Sequence, residues 1–147
     1  MEFALLVPLL LVLFFGIVEL GRALYQLNTL TKATDAGVRY LSRGWAVLDA
    51  DCNPGPGWEQ AVSATARYVV HGGESTSAPP LLSGMSVSDV SVTSHAAIVP
   101  GRPEPACVLT VSARANFNAV LGDAVVPFTN LGPIVLRASK EGRYLAQ

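Results

Sequence analysis

Between Phe3 and Val18 the chain reads FALLVPLLLVLFFGIV, sixteen residues without a charge. As a helix this run is about 24 Å long, somewhat short of the roughly 30 Å hydrocarbon core of a bilayer. Recruitment of the turn from Leu20 to Leu24, local thinning of the bilayer, or residues upstream would close the gap. A buried helix of a water-soluble protein this size is expected to keep a polar face for water, and the leucines and phenylalanines from Leu9 to Phe15, interrupted only by Val12, leave none. A cleaved secretory signal is the stronger rival. Against it, Glu2 is acidic where a signal carries basic residues, and no small-x-small site follows the run cleanly. The run is therefore expected to be a membrane segment.

The helix is expected to continue beyond it. Leu20, Leu24, Leu27, Leu30, Thr34, Val38, Leu41, Trp45 and Leu48 recur at steps of three or four, which is the period of one helical face. Asp35 precedes Arg39 by four residues, a spacing that supports a helix, and no proline lies between Val18 and Asn53. The pattern predicts one helix from Glu2 to about Leu48, roughly 70 Å long. Its parts are a transmembrane segment over 1–22 and an amphipathic continuation over 23–49. Pro8 removes one backbone hydrogen bond and, with Gly16, is expected to be a soft point. Glu2 is costly inside hydrocarbon, which makes it a functional candidate, unless it reaches the interface. Glu19 is expected to mark the opposite interface, paired with Arg22.

Residues 50–147 read as a separate α+β domain. DCNPGPG, from Asp51 to Gly57, is dense in turn formers and ends the long helix. Trp58 to Val70 has helical spacing and Gly72-Gly73 as a stop. Ser75 to Gly84 is a polar loop. Met85 to Val99 and Ala106 to Val120 alternate as the two arms of an antiparallel hairpin, and Ile134 to Leu145 supplies a third strand. A small antiparallel sheet packed on the amphipathic half of the first helix follows.

Little in this domain points to chemistry. Net charge is −1 with 14% charged residues, so the basic surface that nucleic acid requires is missing. His71 and His95 have no carboxylate at ligand spacing, and Asp49 and Asp51 begin a calcium loop that Cys52 and Pro54 spoil. No catalytic, cofactor-binding or metal site is expected. The two cysteines, Cys52 and Cys107, match no zinc or redox motif. Their reading is a disulfide, with two buried thiols as the alternative. A disulfide requires an oxidising compartment and places the domain outside the cytoplasm. By themselves, Arg22, Lys32, Arg39 and Arg43, all following the apolar run, argue for the opposite orientation.

The stretch MEFALLVPLLLVLFFGIVELGRALYQLNTLTKATDAGVRY resembles the N-terminal region of TadE-like proteins of the tight-adherence (Tad) pilus system. Glu2-Phe3-Ala4-Leu5, Pro8, Gly16 to Arg22 and Asn28 to Tyr40 carry the likeness, and IVLRASKEGRYL, from Ile134 to Leu145, resembles the family's terminal strand more loosely. The resemblance implies a pilin-like fold and a minor pilin or pseudopilin, single-pass in the bacterial inner membrane with its C-terminal domain extracytoplasmic, or incorporated in the pilus. It implies roles in assembly, initiation or the filament tip, with surface attachment downstream. The implied partners are the lipid bilayer, other pilin or pseudopilin subunits, the Tad inner-membrane assembly machinery and a prepilin peptidase. Glu2 matches the family's glutamate, which neutralises a neighbour's N-terminal amine. Phe3, Leu6, Pro8, Leu10, Phe14 and Gly16 are the accompanying helix-packing positions. The family's peptidase cuts after a glycine a few residues before that glutamate. Neither that glycine nor a basic leader precedes Glu2 here, so the leader lies upstream or the chain is not processed. The alternatives are a membrane-anchored binding or adhesion module, for which the helix is only a tether, and a main filament subunit.

Overall fold

The computed structural model describes residues 2–75, 77–98, 105–119 and 134–145, except the side chains of Glu2, Ala4 and Leu5. Helix α1, Glu2–Leu41, runs through Pro8 without a break and is about 60 Å long. Helix α2, Trp58–His71, follows it. Three strands complete the fold: β1, Val90–Ala97, β2, Ala106–Phe117, and β3, Ile134–Arg143. They form one antiparallel sheet in the order β1-β2-β3, with Ser91 opposite Ser112 and Ser112 opposite Ser139. The architecture is α+β, a long apolar helix with a small sheet. Before β1 the expected strand gives way to a 3-10 turn, Val87–Asp89, held by a capping box between Ser86 and Asp89. The link between β1 and β2 lies largely outside the described residues.

Alternation along β2 turns Leu109, Val111, Ala113, Ala115 and Phe117 to one face, all buried. That face meets Leu30, Ala33, Val38 and Leu41 of α1, with Leu136 from β3 and Val69 and Val70 from α2. Two glycines set how closely the layers approach. A Cβ on Gly37 would lie 2.6 Å from Val69 Cγ2, where α1 and α2 cross, and one on Gly142 would overlap Val38 Cγ1.

The helix stops at Leu41, seven residues before the periodic pattern does. The Ser42 N–H still donates to Val38 O at 2.8 Å, but Arg43 and Gly44 donate to Tyr40 O and Leu41 O, three residues back. This tightening is how many helices end. Ala46 then takes a positive φ of 53°, which sends Trp45 outward, 82% exposed, and Val47 and Leu48 into the core. A residue nearly a hundred positions away fixes the turn: the Tyr144 hydroxyl donates to Gly44 O at 3.1 Å and accepts from the Val47 N–H at 3.2 Å. The Leu145 N–H donates to Ser42 O at 3.1 Å beside it. The amphipathic continuation assigned to 23–49 is thus helical only to Leu41. Its last apolar residues belong to a loop that local periodicity cannot distinguish from helix.

Cys52 and Cys107 form a disulfide, Cα to Cα 5.2 Å, joining this loop to the first residues of β2.

Two outcomes follow for thermal unfolding of the detergent-solubilised chain. Gly142→Ala forces a methyl group into Val38 and should cost about 1–3 kcal/mol, seen as a lowered Tm. Replacing both cysteines by serine should cost about 4 kcal/mol on the chain-entropy account of a loop of 55 residues, and reductant should lower the Tm of the native chain alike.

Candidate functional site

The first half of α1 leaves the domain. From Leu6 to Val18 every side chain is exposed, and Phe3 is 80% exposed. Phe3, Leu6, Leu10 and Phe14 follow one another at steps of three and four, so they share one face of the helix. The opposite faces are no more polar: Leu9, Leu13 and Ile17 are exposed as well. Pro8 lies within the helix. Nothing comes within 4 Å of a Cβ placed on Gly16, so that flank is open for another chain to approach. Glu2 opens the helix, and its side chain lies outside the described residues. Leu6–Leu41 contains an apolar window, mean hydropathy 2.0, long enough to cross a membrane, and none of that window is buried in the domain. A core helix would be covered by its own chain. This one fits a single-pass membrane anchor.

An ion pair and an aromatic ring mark where the naked helix meets the domain. Arg22 Nη1 donates to both oxygens of Glu19 at 3.0 Å, as the spacing predicts. The same guanidinium sits 5.7 Å from the centroid of Phe117, the last residue of β2, a cation–π distance. No local pattern in the sequence signals that second contact, since it depends on where β2 ends. From Ala23 onward α1 packs against the domain.

Several of the other polar groups have structural partners. His71 Nδ1 lies 2.7 Å from Ala78 O and ties the end of α2 to the following loop. The Asp49 carboxylate accepts from the N–H groups of Asp51 and Asn53, at 3.0 and 2.8 Å, a local turn closure. The Asp89 carboxyl is held below its ordinary value by the Ser86 hydroxyl and N–H, with a smaller contribution from Arg114 at 3.1 Å. Among the described residues no three His, Cys, Asp or Glu side chains gather as a metal site would require. His95 is exposed on the outer face of the sheet.

Comparison with known proteins gives one match. The family described as TadE-like protein matches residues 1–39. No curated protein and no solved structure matches the chain. The match covers the exposed half of α1 and most of the half that carries the sheet, ending two residues before the helix does. TadE-like proteins are pilus-related and structural in kind. Residues 1–39 are thus similar to a family of Tad pilus-related proteins, and the similarity is to that part of the chain.

Proposed function

We propose that the protein is a minor pilin or pseudopilin-like subunit of a Tad-type pilus, acting in its assembly, initiation or tip, with surface attachment as the downstream role. The observation that carries this reading is the uncovered first half of α1. A tether needs only enough apolar length, whereas this segment also bears the family's sequence from its first residues. Lipid and neighbouring helices are alike in apolarity, so transfer from bilayer to filament is governed by packing and by polar pairing. Phe3, Leu6, Leu10 and Phe14 present the packing face, Gly16 allows close approach, and Pro8 softens the helix. The Glu2 carboxylate pairs with the N-terminal amine of an adjacent subunit, because an isolated charge in an apolar bundle is expensive and a paired one is tolerated. In this reading a prepilin peptidase processes the precursor. The domain beyond α1 is extracytoplasmic, in keeping with the Cys52–Cys107 disulfide.

Glu2→Ala should leave the protein in the membrane fraction at its usual level and reduce its recovery in sheared pili about tenfold or more, the pairing being worth a few kcal/mol. Replacement of residues 2–22 by an unrelated apolar anchor should do the same. Normal pilus incorporation of both variants would show that the helix is a tether alone.

A further inference from the structure

At the end of α1 remote from the apolar run, α1, the turn through Trp45 and α2 enclose an open groove of about 970 Å³. Tyr40 and Tyr68 form one wall, their rings stacked with centroids 5.0 Å apart. Arg39, Arg43 and Arg67 line the groove against one carboxylate, Glu74. Glu74 accepts the Tyr40 hydroxyl at 2.9 Å, and Arg39 is paired with Asp35 at 2.8 Å. Arg43 and Arg67 have no ion pair among the described residues. Arg67 Nε is buried and has no hydrogen-bond partner among the described residues, a state that normally costs free energy. At the rim stands Trp45, almost wholly in water. Helical spacing would have put Trp45 on the buried face, and the turn at Ala46 exposes it instead.

The three arginines outnumber the two carboxylates beside them, Asp35 and Glu74; such a surplus of positive charge in a concavity attracts carboxylates, and guanidinium groups bind them in a planar two-bond geometry. The aromatic surface between them favours an apolar neighbour for each carboxylate, which a peptide supplies. Trp, Tyr and Arg are also the residues that dominate binding energy at protein interfaces. Headgroups are out of reach, for Tyr40 lies about 33 Å along the helix from Val18. We propose that this groove docks an acidic segment of a partner protein, with carboxylates on Arg43 and Arg67 and an apolar side chain against Trp45 and the tyrosine pair. The site is separate from the packing face of the first half of α1, so it stands whether or not that face enters a filament.

The test uses the full chain in lipid nanodiscs and a fluorescein-labelled dodecapeptide of repeating Glu-Glu-Phe, read by anisotropy, with the Lys-Lys-Phe peptide as control. The acidic peptide should bind saturably and weaken as salt rises, and the lysine peptide should not bind. Arg43→Glu with Arg67→Glu should weaken binding about tenfold or more. Trp45→Ala, which removes only an exposed side chain, should also weaken it, and Arg137→Glu on the outer face of the sheet should leave it unchanged. Absence of binding, equal binding of the two peptides, unaltered binding by both the double variant and Trp45→Ala, or displacement of the peptide by a uronic-acid polysaccharide at lower concentration would each overturn the proposal.

Discussion

Leu30, Val38 and Leu41 of α1 bury themselves against Leu109 and Val111 of β2, and the placement of every other element follows from that strip. Because β2 is the central strand, fixing it on α1 fixes β1 and β3 through their hydrogen-bonded registers. Gly142 lets β3 approach Val38 with no side chain between, and Gly37 lets α2 do the same on another flank of the helix. One helix thereby serves two environments. Its second half is the spine of the folded domain, and its first half, helical through Pro8, is apolar all round.

The domain is fastened to that spine at both ends by different means. Near the naked helix the fastening is electrostatic and aromatic: Glu19, Arg22 and the Phe117 ring. At the far end it is covalent and hydrogen-bonded. The Cys52–Cys107 bridge holds the loop to β2, and the Tyr144 hydroxyl holds the turn after α1 to the end of β3. A helix that rotates or shifts along its axis must then carry the sheet with it, since sliding would break contacts at both ends at once.

Much of this was legible in the sequence because it is written in local periodicity. The uncharged run from Phe3 to Val18, the helix from Trp58, the alternation of β2 and the Glu19–Arg22 spacing each specify structure within a few residues. What failed to show depends on partners far away in the chain. Trp45 and Leu48 sit at helical spacing after Leu41, yet Tyr144 and the left-handed Ala46 turn them in opposite directions, one to water and one to the core. The groove was hidden for the same reason, since it exists only where that turn and α2 face each other. The residues proposed for assembly rest on a family pattern and not on geometry. For Glu2 the structure supplies a place at the start of α1 and nothing of its side chain.

The early end of α1 has a functional consequence. Had the helix run to Leu48, Trp45 would have stayed on the face that carries the sheet, and the groove between α1 and α2 would have lost its rim. By ending at Leu41 and folding back through Gly55 and Gly57, whose N–H groups donate to Val47 O and Ala46 O at 2.9 and 3.0 Å, the chain sets an exposed aromatic side chain beside the guanidinium groups of Arg43 and Arg67 at the end of α1 remote from the apolar run. The same brace at Tyr144 that closes the fold therefore also shapes the surface offered to another protein.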